Sequence, residues 1–330
     1  MGIKGLSTFI AKHYSECVEV KPLSELQGKT VAFDLPCLAY RFWYGFLSNK
    51  RYNDTGGGGE KHHQRNDVRM QHVGNGLASF VKTMHRNGIR AIYVAEGMAP
   101  ERKRDTILRR NASSNRSNVR SNDVIVVQME TSCDYESIDA WQTIQRRGTA
   151  CDESKQQDVP AVHTTVNNRV NFNHVHACLH RLGESVVNGP SEAETTCAAL
   201  MYTRMVDAVY SRDYDMLAYT GVDRVLYSIS LPRCTYTCVD VEKLLRLMKL
   251  SREQFIDFCI LCGTDYNKSV PGMHPKRALQ LIKECLNLEG VISTHKLEQY
   301  IDKKTYDWIR NLFSNRNAHA LVKGIPWSEL

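Results

Sequence analysis

Apolar residues along this 330-residue chain follow two spacings that alternate with each other. Short apolar runs bounded by turn residues predict buried strands at residues 29–36, 89–95, 184–187, 208–211, 216–219 and 224–229. Apolar positions three and four apart predict helices at residues 2–13, 36–47, 67–87, 166–182 and 191–204. Because strands and helices follow each other in turn, the pattern favours an α/β fold with a mostly parallel central sheet flanked by helices.

The second half of the chain predicts a pair of helices joined by a short loop. Helical spacing covers residues 251–262 and 275–285, and the stretch 293–330 has a polar, helical pattern. Lys276 and Arg277 fall in the first turn of the second helix, where the helix dipole disfavours cations. Basic residues are favourable at that end when they and the backbone N–H groups face a phosphate, so these two are candidate phosphate-binding residues.

Two stretches lack any regular spacing. Residues 48–66 contain four consecutive glycines and predict a polar, flexible loop, in which His62 and His63 face solvent. Residues 111–165 begin rich in Ser and Asn and carry eight acidic against five basic residues, a net charge of −3. The rest of the chain is therefore +10, because the whole chain is +7. A polyanionic partner is expected to bind outside this insert.

Carboxylates follow several of the predicted strands. Asp34 lies near the end of the first strand, Glu96 directly follows the second, and four more acids lie within a span of 24 residues: Glu192, Glu194, Asp213 and Asp215. The carboxyl ends of parallel strands form one edge of a sheet, so these side chains can converge on one point. Carboxylates brought together repel each other and bind hard divalent cations such as Mg²⁺ and Mn²⁺. The pattern therefore indicates a metal site.

Two of these acids also have a purely structural interpretation. Ser191 and Glu194 have the spacing of a capping box, with Ser191 as the N-cap of the helix at 191–204. Asp34 precedes the helix at 36–47 and can serve as its N-cap. A helix cap and a metal ligand both use the carboxylate oxygens, so the sequence pattern alone leaves the two roles open.

Composition and charge limit the classes of protein to which this chain can belong. Hydrophobic residues make up 42% of the chain, enough for a large core, and the pI of about 8.8 is compatible with a polyanionic partner. No apolar run reaches the roughly 18 residues of a membrane span. Eleven scattered cysteines predict free thiols in a reducing, intracellular compartment. Cys234, Cys238, Cys259 and Cys262 have zinc-like spacing, but the last two lie in an apolar helix and favour core packing.

Five short blocks occur in a fixed order along the chain. They are Gly2-Ile3-Lys4-Gly5-Leu6, Asp34, Gly189-Pro190-Ser191-Glu192-Ala193-Glu194, Asp213-Tyr214-Asp215 and Cys259-Ile260-Leu261-Cys262-Gly263-Thr264-Asp265-Tyr266. Together these blocks resemble the structure-specific 5′ nuclease family, which comprises the flap endonucleases and their exonuclease relatives. The resemblance covers about residues 1–110 and 166–290, and the match is poor in residues 111–165 and 290–330.

The resemblance implies a metal-dependent phosphodiester hydrolase. The family's metal-binding acids fall on Asp34, Glu96, Glu192, Glu194, Asp213, Asp215 and Asp265. Two Mg²⁺ ions, for which Mn²⁺ can substitute, would activate water in line with the phosphodiester and stabilise the leaving oxygen. Lys103 and Arg110 would offset charge on the phosphate, and Tyr40 would stack on an unpaired base. The expected products carry a 5′-phosphate and a 3′-hydroxyl.

The resemblance also implies a helix–two-turn–helix element at residues 251–285 that grips duplex DNA. A bound K⁺ ion is expected beside Ser269, Val270 and Gly272, and DNA contacts are expected from Gly2, Lys276 and Arg277. In family members the insert that follows Arg110 forms an arch, often rich in basic helices. We therefore expect an arch-like insertion at residues 111–165.

Three features depart from the family pattern. Glu96 and Gly97 form a Glu-Gly pair where the family has Asp-Gly. His274 stands where the family has the second glycine of a Gly-x-Gly hairpin. The insert at residues 111–165 is acidic and Ser/Asn-rich where the family's is often basic. These departures concern one metal ligand, one phosphate contact and the capture of a 5′ end.

The resemblance predicts one nuclease domain over residues 1–330. Its parts are an N-terminal nuclease region at 1–110, the insert at 111–165, an internal nuclease region at 166–265, the helix–two-turn–helix at 251–285 and a C-terminal helical extension at 286–330. The C-terminal residues hold no sliding-clamp box of the Gln-x-x-Leu-x-x-Phe-Phe type and no strongly basic tail. We expect a monomer that binds branched or flap DNA, without a membrane partner, in the nucleus or at another site of DNA replication.

The expected activity is that of a 5′ flap endonuclease with 5′–3′ exonuclease action in DNA replication, repair or recombination. One alternative is a catalytically silent scaffold that binds DNA junctions, and metal-dependent cleavage separates it from an enzyme. A second alternative is an aspartate-dependent phosphatase, because Asp34 ends a predicted strand. That class needs a second acid two residues on, and residue 36 is proline, so the nuclease is favoured.

Overall fold

A computed structural model describes residues 2–47, 60–98, 100–103, 106, 108 and 170–325. These residues belong to one compact unit, built from the chain on both sides of residues 111–167. The arch-like insert expected at 111–165 lies outside the described residues, as does Arg110. The predicted division of residues 1–330 into nuclease regions stays a prediction.

Seven strands form one sheet at the centre of this unit. They are β1 (Val18–Pro22), β2 (Thr30–Asp34), β3 (Arg90–Ala95), β4 (Val186–Asn188), β5 (Ala208–Tyr210), β6 (Arg224–Ser230) and β7 (Thr235–Asp240). Their order across the sheet is β1-β7-β6-β5-β2-β3-β4. The pairings from β6 through β5, β2 and β3 to β4 are parallel, whereas β7 is antiparallel to both of its neighbours. The predicted α/β fold with a mostly parallel sheet is confirmed.

Helices cover both faces of the sheet. They are α1 (Leu6–His13), α2 (Leu35–Leu47), α3 (Glu60–Arg86), α4 (Phe172–Arg181), α5 (Ala193–Tyr202), α6 (Val241–Met248), α7 (Arg252–Cys262), α8 (Pro275–Cys285), α9 (Leu288–His295), α10 (Lys303–Phe313) and α11 (Ala318–Lys323). Successive residues of β2 enter two different cores: Val31 and Phe33 pack with α2, α3 and α4, while Ala32 packs with α5 and the C-terminal helices. This alternation is the period of two of a strand that is buried on both faces.

Two predicted elements differ from the structure, and two strands were missed. The strand predicted at 216–219 is wrong, because Tyr214–Ala218 form a buried 3₁₀ helix, and periodicity does not separate such a short apolar run from a strand. The edge strand β1 and its neighbour β7 were not predicted, although Val18–Pro22 alternates apolar and charged residues. Helix α3 begins at Glu60 rather than at residue 67, because its first two turns contain no apolar residue. His62 and His63 therefore lie in a helix rather than in the predicted loop.

Helices α7 and α8 form the helix pair predicted at residues 251–285. Helix α7 begins in a capping box, in which Ser251 Oγ accepts from Gln254 N at 3.2 Å and Gln254 Oε1 accepts from Ser251 N at 3.0 Å. Helix α8 begins with proline, and the preceding His274 accepts from the Arg277 N–H through Nδ1 at 3.3 Å. The histidine that departs from the family's glycine is therefore a helix cap. Lys276 and Arg277 are exposed in the first turn, as predicted.

An arginine joins α7 to the two helices that follow the pair. Arg310 on α10 donates two hydrogen bonds to the buried Asp257 of α7, at 2.6 and 2.8 Å, and two more to Glu289 of α9, at 2.6 and 2.8 Å. Asp257 also accepts from the Leu288 N–H at 2.9 Å. Because the Asp257 carboxylate is buried, Arg310 supplies the charge that balances it. The helix pair is thus fixed to the C-terminal helices by charged groups.

Two further features of the described residues are the state of their cysteines and the character of their helices. The nine cysteines within the described residues are free thiols, and Cys238, Cys259 and Cys262 are buried in the core. Among the described helices, none combines the length and apolar composition that crossing a membrane requires.

We predict that Arg310→Met destabilises the fold by about 2–3 kcal/mol, because it leaves the buried Asp257 carboxylate without its partner and Arg310 is itself partly exposed. Arg246→Met is the matched control, since Arg246 pairs with Glu242 at 3.7 Å between two exposed side chains. The control should cost less than about 0.5 kcal/mol. Urea unfolding of both variants measures the difference, and equal losses would contradict a structural role for the Asp257 pair.

Candidate active site

The fold brings all of the predicted acids to one edge of the sheet. Asp34 ends β2 and Glu96 follows β3, whereas Glu192 and Glu194 open α5 just after β4. Asp213 and Asp215 follow β5, and Asp265 follows α7. Because β5, β2, β3 and β4 are parallel neighbours, their carboxyl ends lie side by side. The convergence expected from the sequence therefore has a direct cause in strand order.

Asp34 uses both of its carboxylate oxygens. Oδ1 accepts from the Cys37 N–H at 3.0 Å, which is the N-cap bond of α2. Oδ2 accepts from the Ser211 hydroxyl at 3.0 Å, and Ser211 Oγ in turn accepts from the Asp213 N–H at 3.1 Å. The capping role that the sequence left open is thus real and coexists with a place in the acid cluster. Burial raises the pKa of Asp34, against the effect of these hydrogen bonds.

The predicted capping box of α5 is wrong. The N-cap residue is Glu192, which makes no side-chain capping bond, and Ser191 lies before the helix. The cause is a backbone contact, in which the Gly97 N–H donates to the Ser191 carbonyl at 2.8 Å. A Cβ at Gly97 would lie 2.0 Å from the Gly189 carbonyl oxygen, so only glycine permits this approach. Glu96 Oε2 accepts from the Ala193 N–H at 3.3 Å and takes the capping role.

Asp213 and Asp215 direct unsatisfied oxygens at the N-terminal segment. The Oδ1 atoms of both side chains are buried and have no hydrogen-bond partner. A Cβ at Gly2 would lie 2.0 Å from Asp213 Oδ1 and 2.1 Å from Asp215 Oδ1, so the two oxygens are close neighbours and any side chain at position 2 would displace them. Gly2 therefore lies against the acid cluster, and its expected DNA contact stays a prediction.

Lys103 lies among the acids as their positive partner. Its ammonium group donates to Glu192 Oε1 and lies 3.8 Å from Asp265 Oδ2. It also lies 5.8 Å from the centre of the Tyr266 ring. Burial alone would lower the pKa of Lys103, but the carboxylates of Glu194 and Glu192 raise it above its usual range. Lys103 therefore lies beside the cluster, and its role at a phosphate stays a prediction.

Two further residues support the acids and were missed in the sequence. The Tyr266 hydroxyl donates to Glu192 Oε2 at 2.6 Å, and Ser211 joins Asp34 to Asp213 as described above. Tyr266 belongs to the same sequence block as Asp265, and Ser211 lies two residues before Asp213. Their nearness to those acids was the available signal, but the sequence does not show which hydroxyl faces which carboxylate.

The electrostatics of the cluster are those of carboxylates held together without enough positive charge. Burial raises the pKa of Glu194 well above its usual value, and Asp213 and Asp215 raise it further. Burial raises the pKa of Asp215 in the same way, with an added contribution from Asp213. Lys103 lowers both values but does not reverse the shifts. A divalent cation would relieve this repulsion.

The donor set fits a divalent metal, although it does not form a finished coordination sphere. Within the described part of the chain, no group of three or more His, Cys, Asp or Glu side chains already has metal-ligand spacing. The cluster nevertheless consists of hard carboxylate oxygens, and two of those, on Asp213 and Asp215, are buried without a partner. Mg²⁺ and Mn²⁺ prefer such ligands. Metal binding is therefore expected to draw the acids closer together.

The remaining predicted residues lie further along the same elements. Tyr40 is on α2, and its ring stacks on Tyr44 one turn away, with centroids 5.8 Å apart and planes at 22°. Tyr44 is exposed. Around the expected K⁺ position, Val270 is buried and Gly272 is exposed, while the Ser269 hydroxyl accepts from Lys4 Nζ at 2.9 Å. A positive group of the chain thus already contacts one of the oxygens assigned to the ion.

The pKa shifts predict how the stability of the metal-free protein depends on pH. Burial raises the pKa values of Asp34, Glu194 and Asp215, so above about pH 5 the folded protein binds more protons than the unfolded chain. The free energy of unfolding should therefore fall as pH rises from about 5.5 to 8, by about 1.4 kcal/mol per pH unit for each proton still held. Glu194→Gln should flatten this fall, since the amide does not titrate.

Urea unfolding in EDTA at several pH values measures this dependence. Glu298→Gln is the control, because the Glu298 side chain is exposed. Identical slopes for the wild type and Glu194→Gln would show that burial does not hold protons on the cluster.

Two family models match the chain. The XPG N-terminal domain matches residues 1–117 and the XPG I-region matches residues 183–265, and between them these ranges contain all seven predicted acids. Flap endonuclease 1 of Zea mays is 25% identical over 335 residues, which are 99% of this chain and 79% of that protein. Flap endonuclease 1-A of Sorghum bicolor is 28% identical with the same coverage of both chains.

Solved structures share the fold. The catalytic core of Rad2 in complex with DNA substrate matches with a TM-score of 0.58 and 21% identity, over 94% of this chain and 80% of that one. Flap endonuclease-1 from Methanococcus jannaschii matches with a TM-score of 0.54 and 23% identity, over 90% of this chain and 82% of that one. The family models carry the assignment, and the shared fold agrees with it. The chain belongs to the XPG family of structure-specific 5′ nucleases.

Proposed function

We propose that this protein cuts DNA at 5′ flaps, close to the junction between single and double strands, and removes nucleotides from 5′ ends. The observation that carries the proposal is the buried acid cluster, with two unpartnered oxygens on Asp213 and Asp215 and the ammonium of Lys103 beside it. Membership of a metal-dependent DNA nuclease family supports the same chemistry.

The acids are proposed to hold two Mg²⁺ ions, for which Mn²⁺ can substitute. The residues assigned to the ions are Asp34, Glu96, Glu192, Glu194, Asp213, Asp215 and Asp265. When bound, the ions supply the Lewis acid that activates water and offsets charge on the reacting phosphate. Ser211 and Tyr266 orient the carboxylates of Asp34 and Glu192 through the hydrogen bonds described above. The cleavage then requires no nucleophilic Ser or Cys.

The residues around the acids are proposed to position the DNA. Lys103, and with it Arg110, would meet the negative charge of the scissile phosphate. Tyr40 would stack on an unpaired base beside the cleft. Lys276 and Arg277 are exposed at the start of α8, where backbone N–H groups and the helix dipole favour a phosphate. The duplex would thus be held at α8 while the reaction takes place at the sheet edge.

The partner is proposed to be branched or flap DNA, bound by one copy of the chain. The curated relatives named Flap endonuclease 1 support a place in DNA replication and repair, and hence the nucleus or another compartment where DNA is replicated. A silent scaffold that binds junctions is the alternative. It would need the same positive surface but no metal-dependent reaction, so a cleavage assay separates the two.

We predict that the purified protein cleaves 5′-labelled flap DNA near the junction in Mg²⁺ or Mn²⁺ and leaves it intact in EDTA. Glu194→Gln should reduce the rate by on the order of 100-fold or more, about 2.7 kcal/mol in the barrier, because it removes a charge proposed to bind metal. DNA binding should persist, since the duplex grip lies on α8. Glu298→Gln, a surface change of the same chemistry, should cleave at the wild-type rate.

Gapped, nicked and blunt substrates in the same assay define the preferred junction. Binding without cleavage of any of them in either metal would support the scaffold instead. A Glu194→Gln variant within about threefold of wild type would remove Glu194 from the site.

We also predict that replacing Lys276 and Arg277 with Gln weakens duplex binding and flattens its salt dependence, by about 0.9 in logarithmic slope for each lost phosphate contact. Lys303 and Lys304 provide a matched control, because they are exposed in the first turn of another helix, α10. Their double Gln variant should keep the wild-type slope. A DNA titration at several KCl concentrations gives both slopes. An unchanged slope for the Lys276 and Arg277 variant would show that the duplex is bound elsewhere on the protein.

A further inference from the structure

A lysine of the N-terminal segment is fixed against the helix–two-turn–helix. Lys4 Nζ donates to Ser269 Oγ at 2.9 Å, and the Lys4 backbone N–H donates to the Gly263 carbonyl at 3.2 Å. The next residue is also in contact, because a Cβ at Gly5 would lie 3.4 Å from the Pro275 ring. The side chain of Lys4 is exposed, but its backbone is held at the end of α7, and the following Gly5 lies against the start of α8.

The loop that carries Ser269 is itself held in place. Asn267 Oδ1 accepts from the backbone N–H and the hydroxyl of Thr264, at 3.0 and 2.7 Å, and Asn267 Nδ2 donates to the Ile260 carbonyl at 3.0 Å. A Cβ at Gly263 would lie 2.8 Å from the Ser269 Cβ, so the two strands of the loop touch. The hydroxyl that Lys4 contacts therefore has a defined position.

We propose that the ammonium group of Lys4 takes the place of the monovalent cation in this helix–two-turn–helix. The inference rests on the proposed function, in which the helix pair grips duplex DNA. A lysine ammonium carries one positive charge and three donors, so it can supply the charge that a bound K⁺ would supply to a nearby phosphate. A K⁺ ion on the Ser269 oxygen would be close to this like charge and would be repelled.

The charge arrangement around Lys4 agrees with this role. The ammonium contacts Ser269 in the loop that leads into α8, and the first turn of α8 presents Lys276 and Arg277. A phosphate that binds the N-terminus of α8 would also be attracted to a positive group on that loop. Since Lys4 is covalently attached, its charge does not depend on which monovalent salt is present.

A simpler role for Lys4 is a direct phosphate contact, and the two roles differ in one measurable respect. A lost phosphate contact weakens DNA binding equally in Na⁺ and K⁺, because the effect depends on ionic strength alone. A lost cation substitute leaves the Ser269 oxygen without its positive partner, so K⁺ can approach it. Only the loss of a cation substitute gives a variant whose DNA binding is restored better by K⁺ than by Na⁺.

The experiment compares the dissociation constant of a blunt DNA duplex in KCl and in NaCl at equal ionic strength, without divalent ions so that the DNA is not cut. The wild type should bind within about twofold in the two salts. Lys4→Gln should bind at least about fivefold more tightly in KCl than in NaCl, since Gln removes the charge and offers a further oxygen. Lys4→Arg keeps a cation and should behave as the wild type does.

Lys268→Gln is the matched control, because Lys268 is exposed on the same loop and is adjacent to Ser269. It should show the same affinity in both salts. Thermal unfolding of each variant in both salts confirms that the fold is intact, and only Lys4→Gln should be stabilised by KCl over NaCl.

Three results would overturn the inference. They are a wild type that needs K⁺ specifically, a Lys4→Gln variant that is weakened equally in both salts, and a Lys4→Gln variant that is unchanged. In each of them DNA binding by the wild type remains, so the proposed function stands. Failure of the wild type to bind duplex DNA in any salt would overturn the proposed function and this inference together.

Discussion

Carboxylates gathered at the carboxyl ends of the central strands repel each other, and the contacts around them offset part of that repulsion. Asp34, Glu194 and Asp215 are buried, and the burial of several like charges is unfavourable unless each finds a partner. The chain supplies partners from distant positions: the Ser211 hydroxyl donates to Asp34, whereas the Lys103 ammonium and the Tyr266 hydroxyl donate to Glu192. The strand order, the close backbone contact at the end of β3 and the fixed position of α7 all serve to bring these groups together. Metal ions would complete the balance of charge.

Much of the fold could be predicted from the sequence, because its central strands are short apolar runs separated by amphipathic helices. The elements that were missed or misplaced lack that signal. The buried turn at Tyr214–Ala218 is as apolar as a strand, and its shape is set by packing rather than by periodicity. The first two turns of α3 are entirely polar, so no apolar spacing marks where the helix begins. Within the described sheet, strand β1 pairs only with β7, more than 200 residues away, which is a contact between distant segments.

The residues of the candidate site also fall into those that the sequence predicts and those that it does not. Six of the acids were found because each lies at the end of a strand or opens a helix, whereas Asp265, which follows α7, was found only through its recognisable sequence block. The groups that hold them were not, since the hydrogen bonds of Ser211 to Asp34 and of Tyr266 to Glu192 join segments far apart in sequence. Ser191 shows why a correct local motif can still fail. The Ser191 carbonyl accepts a hydrogen bond from the Gly97 N–H, and α5 begins after the position that the capping-box spacing predicts.

The N-terminal segment links the acids to the helix pair over a short distance. Gly2 touches Asp213 and Asp215, while the Lys4 backbone is bonded to the end of α7 and Gly5 lies against Pro275. Four residues thus connect the acids to the helix pair, and the distance between the two is limited to the reach of this short segment, whose ends are held by these contacts. If the duplex is held at the helix pair, this spacing limits the number of nucleotides between the bound duplex and the cut bond. The length of the product would then stay constant even when the DNA sequence changes.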